Sequence, residues 1–310
     1  MITLGIDTSN YTTSVALYDS ESGEIRQKRM LLPVKHGEKG LRQSDAVFHH
    51  TNRIGSLTEE LFGGFDREID AIGVSEKPRD AEGSYMPCFL VGLNAAKSIS
   101  AVTKKPLYGF SHQSGHIMAA LFSADLLELR KEKFIAFHIS GGTTEMLLVT
   151  PDKERIFKAE IIGETKDLNC GQAVDRAGVM MGLDFPCGPT LEKLALASDK
   201  AFNPKICVSD GNCSLSGVEN QCGKMLSQGD KNEDIARYCF DFIGKTLEKM
   251  TECAIEKYGR LPLVYAGGVM CNSIIRSRLA SKFDAKFAKP EFSCDNAAGT
   301  AVLASVRGAE

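Results

Sequence analysis

The sequence predicts an α/β protein made of two similar lobes, and three features of the chain indicate this. The chain has 310 residues, which exceeds the usual length of one compact domain. Two segments share one pattern, an apolar strand, a turn of small residues and a returning strand, at residues 2–18 and 134–149. Each segment opens one half of the chain, so we expect a duplicated fold whose lobes each begin with a hairpin. Apolar residues three or four positions apart predict helices at residues 90–102, 235–257 and 297–306.

A further strand in the second half is followed by a turn that suits a phosphate or a ribose. The apolar run 263–266 leads into Gly267 and Gly268, and then into a segment of helical spacing at residues 272–279. The glycines let a ligand approach the backbone, and the free N–H groups of a helix start favour anions. Two other segments, 31–50 and 203–229, are rich in turn-forming residues, and we expect them to be loops or insertions.

Composition excludes several classes of protein. Hydrophobic residues make up 43% of the chain and charged residues 25%, as in ordinary globular proteins. The first residues resemble neither a signal peptide nor a membrane span, so we expect a cytoplasmic protein without membrane contact. Ten cysteines without a Cys-x-x-Cys pair predict reduced thiols. The net charge of −3 gives no general attraction to nucleic acid; the basic run 276–289 is a candidate RNA surface, although such runs more often face water.

A pair of histidines is the sharpest chemical feature of the sequence. His112 and His116 are four residues apart, so on a helix both imidazoles can point at one metal ion. Gln113 stands where a zinc-protease motif needs its glutamate, which argues against a peptidase. Asp295 precedes a predicted helix and is a candidate third ligand, which suits iron(II), or zinc with an open position. The alternatives are a half-buried histidine pair and an aspartate that only caps the helix.

Several short motifs occur in one order along nearly the whole chain. They lie at residues 5–9, 112–116, 139–144, 175–178, 182–189, 215–217, 266–272 and 295–296. Together these motifs resemble the TsaD family of tRNA N6-adenosine threonylcarbamoyltransferases.

The resemblance implies the actin/hexokinase-like (ASKHA) fold, an α/β architecture with two RNase H-like lobes around a nucleotide cleft. The first lobe would span residues 1–118 together with a C-terminal helix at 296–310, and the second would span 119–295 with an insertion around 165–260. It also implies an acyltransferase that moves a threonylcarbamoyl group from threonylcarbamoyl-adenylate to N6 of adenosine 37 in tRNA. The expected cofactors are one divalent metal ion, iron or zinc, and an adenine nucleotide. Besides the adenylate donor and tRNA, the expected partners are a small actin-like subunit and an ATPase subunit.

Site residues follow from the same motifs, position by position. The metal ligands would be His112, His116 and Asp295, and we expect catalytic roles for Asp7, Ser9 and Asn10. The nucleotide-binding positions would be Ser140, Gly141, Gly142, Thr143, Asp175, Gly188, Glu192, Gly267, Gly268 and Asn272.

The chain departs from the family pattern where an acceptor is expected. Residues 10–13 replace an acidic pair, and residues 76–87 replace a Gly-Pro-Gly turn. Thr143 stands in place of a histidine and Glu219 in place of a lysine. Three functions therefore stay open: transfer to tRNA, a carbamoyl-type transfer to another acceptor, and a non-catalytic nucleotide-binding scaffold subunit.

Overall fold

The computed structural model describes residues 1–9, 11–33, 41–294 and 296–309. The chain divides into two compact units. Unit 1 comprises Met1–Glu132, Thr150–Lys158 and Asp295–Glu310, and unit 2 comprises Lys133–Val149 and Ala159–Cys294. Asn10 and Asp295, which the sequence predicts as site residues, lie outside the described residues.

The first part of the chain forms five strands and three α-helices. In chain order they are β1 (Ile2–Ser9), β2 (Thr12–Asp19), β3 (Ile25–Leu31), α1 (Gln43–Phe62), β4 (Ala71–Lys77), α2 (Phe89–Thr103), β5 (Leu107–Ser111) and α3 (His112–Ser123). The remaining elements are β6 (Phe134–Ile139), β7 (Thr144–Asp152), β8 (Ile156–Glu164), α4 (Cys170–Met180), α5 (Gly188–Leu196), β9 (Cys207–Ser209), β10 (Asn212–Ser214), α6 (Ser216–Ser227), α7 (Asn232–Tyr258), β11 (Leu263–Ala266), α8 (Ser273–Ala280), β12 (Ala285–Phe287) and α9 (Ala298–Ala309).

Each unit contains a five-stranded sheet with the same strand order. In unit 1 the order is β3-β2-β1-β4-β5, and in unit 2 it is β8-β7-β6-β11-β12. β1 pairs antiparallel with β2 and parallel with β4, and β6 pairs in the same way with β7 and β11. The predicted duplication is therefore confirmed. In both sheets the strand that opens the repeat lies at the centre, so its carboxyl end is surrounded by neighbouring strand ends.

Two segments predicted to be loops contain regular structure. Residues 203–229 hold the β9–β10 hairpin and α6, and the loop predicted at 31–50 already contains the start of α1. The loop alternative was wrong for 203–229 because small polar residues concealed a helical period: Val218, Cys222 and Met225 are three or four residues apart and all buried. The tight turn between β9 and β10 places Asp210 and Gly211 at positive φ, as a two-residue hairpin loop requires.

In unit 1, α9 packs directly on β1, β4 and α3 because glycines remove the intervening side chains. A Cβ at Gly5 would overlap Ala297 O, and one at Gly73 would lie 2.5 Å from Thr300 O. A Cβ at Gly299 would overlap the carbonyl oxygen of Gly115 on α3. Backbone therefore meets backbone at these points, and no rotation of a side chain could make room for a larger residue.

We expect Gly299→Ala to lower the free energy of unfolding by about 1–3 kcal/mol or more, because the new methyl group meets a backbone carbonyl that cannot move aside. Gly55→Ala on α1 is the matched control, since no atom lies within 4 Å of its added Cβ. That variant should gain about 0.5–1 kcal/mol from its higher helix propensity. Thermal and denaturant unfolding of both variants measure the difference, and a Gly299→Ala protein as stable as wild type would contradict the packing described.

Candidate metal and nucleotide sites

The two histidines lie on the first turn of α3, immediately after β5. Ser111 caps the helix by accepting a hydrogen bond from Ser114 N at 3.1 Å. His112 and His116 point the same way, and their Nε2 atoms are 3.0 Å apart. The sequence prediction that both imidazoles share one face of a helix is confirmed.

Asp7 fixes the orientation of the His112 ring. Its carboxylate is 1% exposed at the carboxyl end of β1, and Oδ2 lies 2.7 Å from His112 Nδ1. An ionised carboxylate only accepts hydrogen bonds, so Nδ1 carries the proton and donates it. The lone pair of His112 is therefore on Nε2, the nitrogen that faces His116. A carboxylate behind a ligating histidine is the usual arrangement at metal sites.

This donor set fits a divalent metal ion. Two imidazole Nε2 atoms converge on one point, and neutral imidazole nitrogen binds both zinc and iron. Among the described residues no group of three or more His, Cys, Asp and Glu side chains could hold a metal. A third protein ligand would therefore have to come from elsewhere, and Asp295 is the candidate.

A buried histidine that sequence reasoning missed lies beside the β1–β2 hairpin, close to the predicted site residue Ser9. His50 on α1 is fully buried, and its Nδ1 lies 2.8 Å from Thr13 Oγ1. Burial lowers the pKa of His50 to about 4, so the imidazole is neutral at physiological pH. His50 Nε2 and Ser9 Oγ are both buried and have no hydrogen-bond partner among the residues that the structure describes. The available signal was the helical spacing of Ala46, His50 and Leu57, all buried, which the loop prediction for 31–50 overlooked.

The segment that replaces the family's Gly-Pro-Gly turn is bound to the start of α3. Asp80 Oδ2 accepts hydrogen bonds from Ser111 Oγ at 3.1 Å and from Ser114 Oγ at 3.0 Å. The carbonyl oxygen of Pro78 accepts from Gln113 N at 3.0 Å. These contacts satisfy donors at the helix terminus, so the replacement segment helps to hold the turn that carries the histidines.

All ten residues predicted to bind nucleotide lie in unit 2, and two of their turns lie side by side. In the first turn Ser140 Oγ accepts from Gly142 N at 3.3 Å and from Thr143 N at 3.1 Å. In the second turn Gly267 adopts φ +100, and a Cβ there would overlap the carbonyl oxygen of Ile139 at the end of β6. Glycine is therefore required at position 267 both for its backbone conformation and for the close contact between the turns.

Asn272 lies at the start of α8, just after the second turn, and Glu192 of α5 contacts the same helix start. Asn272 Oδ1 caps the helix by accepting from Ile275 N at 3.0 Å, while its buried Nδ2 has no hydrogen-bond partner within the described part of the chain. Glu192 Oε1 on α5 accepts from Ser273 N at 2.7 Å and from Ser273 Oγ at 2.6 Å. An unpaired buried amide N–H is costly, so this position has an unused donor for an acceptor atom of a ligand.

Unit 2 also contains a partly buried carboxyl group, Asp175 on α4, and a cavity of ligand size. Burial raises the pKa of the Asp175 carboxyl, which accepts from Cys187 N at 2.9 Å, one residue before Gly188. A cavity of about 400 Å³ lies between α5, α7 and α8, and its lining includes Leu196, Ser273, Ile274 and Ser277 together with Arg237 and Arg278. Its volume falls within the range of ligand pockets, roughly 300–1,000 Å³.

The charged positions considered for RNA binding are largely paired within unit 2. Arg176 Nη1 lies 2.8 Å from Glu219 Oε2. In the basic run 276–289, Arg278 and Lys282 both contact Glu248, and Lys286 contacts Asp284. The guanidinium of Arg276 lies over the ring of Phe287, 4.7 Å from its centre. These pairs favour the interpretation of the run as a water-facing helix and strand edge.

Comparison with known proteins identifies the family. The family model described as TsaD, tRNA N6-adenosine threonylcarbamoyltransferase, matches residues 35–302. This chain belongs to the TsaD family. A tRNA N6-adenosine threonylcarbamoyltransferase from Polaromonas naphthalenivorans is 29% identical over 331 residues, which cover 99% of this chain and 89% of the relative.

Solved structures show the fold. Component A of the (R)-2-hydroxyglutaryl-CoA dehydratase of Acidaminococcus fermentans has a TM-score of 0.57 at 16% identity, with full coverage of both chains. A ROK family glucokinase from Streptomyces griseus has a TM-score of 0.54 at 11% identity and covers 99% of this chain and 100% of its own. Full-length HypF has a TM-score of 0.60 at 13% identity, covering 99% of this chain and 46% of HypF. With the repeated sheets, these matches confirm the actin/hexokinase-like fold class of this TsaD-family protein.

Ten cysteines are free thiols, six of them buried, as the sequence predicts. Among the described residues, no helix is both long and apolar enough to span a bilayer.

Proposed function

We propose that this TsaD-family protein transfers a threonylcarbamoyl group from threonylcarbamoyl-adenylate to an acceptor amine, N6 of adenosine 37 in tRNA, in the cytoplasm. One iron or zinc ion per chain, held by His112, His116 and Asp295, would take part. The observation that carries the proposal is the pair of Nε2 atoms 3.0 Å apart with Asp7 behind one of them. The actin-like and ATPase partner subunits stay predictions.

The metal, when bound, would supply a Lewis acid that polarises an oxygen of the donor. The chain's own contribution is to present the two imidazoles in a fixed orientation. Asp7 holds the proton on His112 Nδ1 and makes Nε2 a better electron donor. Ser9 at the end of β1 and Asn10, the next residue in the sequence, would bind the reacting group of the donor or the acceptor.

Unit 2 would hold the adenylate. Gly141 and Gly268 are exposed, and their backbone N–H groups would bind a phosphate, whereas the N–H of Gly142 donates to Ser140 Oγ and shapes the first turn. Asn272 Nδ2, Asp175 and Glu192 would reach the ribose hydroxyls, and the cavity beside Leu196 would take the base. The unpaired Asn272 donor supports this assignment, because a ribose oxygen would satisfy it.

The reaction itself is an acyl transfer from a mixed anhydride. The acceptor nitrogen forms a bond to the carbamoyl carbon, the bond from that carbon to the phosphate oxygen breaks, and AMP leaves with the electron pair. The acceptor amine gives up one proton. Backbone donors around the phosphate stabilise the charge that develops on the leaving group.

The second candidate function is transfer of a carbamoyl-type group to an acceptor other than tRNA. The ion pair between Arg176 and Glu219 favours this alternative. Where the family carries a lysine, this chain places a carboxylate that already neutralises a neighbouring arginine. An RNA phosphate at this position would meet no net positive charge. The scaffold alternative has no comparable support, because a scaffold does not need the oriented histidine pair.

We expect the purified protein to contain about one iron or zinc per chain, and His116→Ala to lose it, because one of the two converging nitrogens is removed. The same variant should lose transfer from threonylcarbamoyl-adenylate by at least about 100-fold, as expected when a Lewis acid worth several kcal/mol is lost. Metal analysis and mass spectrometry of the product measure both. The control is His49→Ala, which removes a half-buried histidine of α1 that is not a predicted metal ligand. This variant should behave as wild type. Unchanged metal content in His116→Ala would exclude the site.

Asn272→Ser should weaken AMP and ATP binding by about tenfold, which corresponds to one hydrogen bond of about 1.4 kcal/mol. Serine keeps the helix cap but removes the Nδ2 donor. Isothermal calorimetry measures the change, and Asn203→Ser, whose Oδ1 accepts from Lys245 Nζ in the same unit, is the control. Equal affinity of Asn272→Ser and wild type would exclude Asn272 as a nucleotide ligand.

The second candidate predicts that, in cells depleted of the resident enzyme, this chain restores less than about a tenth of the normal threonylcarbamoyladenosine content of tRNA. Each 1.4 kcal/mol lost at an RNA contact costs a factor of ten. Glu219→Lys should raise the content, since it restores a positive charge and frees Arg176. Glu160→Lys makes the same charge change at another exposed position of unit 2 and should not. Full content with the unaltered chain would favour tRNA as the acceptor.

A further inference from the structure

Ser75 on β4 lies directly behind Asp7 and was not singled out by any sequence motif. It is fully buried, and its Oγ lies 2.5 Å from Asp7 Oδ2. We propose that Ser75 is a positioning residue for the metal site: it fixes the Asp7 carboxylate and, through Asp7, the direction of His112 Nε2. This inference rests on the metal site of the proposed function.

Donors from the backbone, from β4 and from α3 hold the Asp7 carboxylate in one orientation. Ser9 N donates to Oδ1 at 2.9 Å, whereas Ser75 Oγ and His112 Nδ1 both bind Oδ2. The Ser75 distance is typical of a hydroxyl donating to a charged oxygen. With one oxygen held by the backbone and the other held by β4, the carboxylate cannot rotate, and the imidazole that donates to Oδ2 is held with it.

Strand register places Ser75 beside Asp7. β1 and β4 are parallel, and Ile6 pairs with Val74, so the next residues, Asp7 and Ser75, are neighbours on adjacent strands and point to the same face. On the other side of β4, the regular pairing with β5 continues to Ser75 and is then interrupted by a bulge. The contact is therefore set by the sheet rather than by a loop.

Thr300 on α9 directs the Ser75 hydroxyl. Thr300 Oγ1 lies 3.3 Å from Ser75 Oγ. A serine hydroxyl has one proton, and Ser75 gives that proton to Asp7, so Thr300 is the donor in this contact. The close packing of α9 at Gly73, where a Cβ would lie 2.5 Å from Thr300 O, brings the threonine within reach. A series of hydrogen bonds therefore runs from Thr300 through Ser75 and Asp7 to His112.

Thr3 provides a matched control for a purely structural role. It lies on the same strand as Asp7, is equally buried, and donates from Oγ1 to Ala301 O of α9 at 2.8 Å. Thr3→Val removes this buried hydroxyl without touching the Asp7 carboxylate. Any loss of metal affinity that comes merely from a weaker contact between β1 and α9 would appear in this variant.

The experiment titrates the metal-free protein with cobalt(II), whose visible absorption reports the ligand set, and repeats the titration with zinc(II) by competition. Ser75→Ala should raise the metal Kd by about 10- to 100-fold, the usual effect of removing a partner behind a metal ligand. Thr3→Val should stay within about threefold of wild type, as expected for a hydroxyl outside the chain of contacts. Thermal unfolding of the metal-free proteins shows whether either variant is destabilised. Ser75→Ala with a wild-type Kd, or a Kd no higher than that of Thr3→Val, overturns the proposal.

A double-variant comparison tests whether Ser75 acts through Asp7. Asp7→Asn should weaken metal binding by itself, and Ser75→Ala should then add less than about threefold, because the two residues form one unit. Effects that multiply in the double variant overturn the proposed route through Asp7. If the wild-type protein binds neither cobalt nor zinc, the metal site of the proposed function fails together with this inference. If the wild type binds metal and only the Ser75 result is negative, the metal site stands and Ser75 has no part in it.

Discussion

The direct contact of α9 with β1, β4 and α3 is the constraint on which the site in unit 1 depends. Gly5, Gly73, Gly115 and Gly299 have no side chains, and a Cβ at any of them would come within 3 Å of an atom of a neighbouring element. Helix and sheet backbones therefore come closer than side chains would allow. The same helix that closes the core of unit 1 carries Thr300 to Ser75, so packing and site geometry cannot be varied independently.

A buried carboxylate is the second element of the site, and its stability requires donors. Asp7 is removed from water at the end of β1, where an ionised group without partners would be strongly destabilising. Donors from the backbone, from β4 and from α3 meet this need. Because one of those donors is His112, the interactions that stabilise the buried charge also determine which imidazole nitrogen is available to a metal ion.

In unit 2 the equivalent positions of the repeat carry different chemical groups. The turn after β6 and the turn after β11 are in contact through Gly267, and both expose backbone N–H groups rather than acidic side chains. The same strand arrangement therefore carries a carboxylate in one unit and backbone donors in the other. This difference suits a metal ion in the first unit and a phosphate in the second, since the electrostatic requirement of each ligand is opposite in sign.

The sequence by itself determined the duplicated α/β architecture and the histidine pair, because strand-turn-strand patterns and the four-residue helical spacing are local properties. It also indicated which glycines follow strands. It could not indicate that Asp7 lies against His112 or that Ser75 lies against Asp7, since these pairs are 105 and 68 residues apart and meet only through strand order and register. His50 was missed because Pro33, Gly37 and Gly40 led to the prediction of a loop or insertion over the whole segment 31–50, which includes the start of α1. The unpaired donor of Asn272 and the Arg176–Glu219 pair were likewise decided by the tertiary structure, because whether a polar group finds a partner depends on which distant elements pack around it.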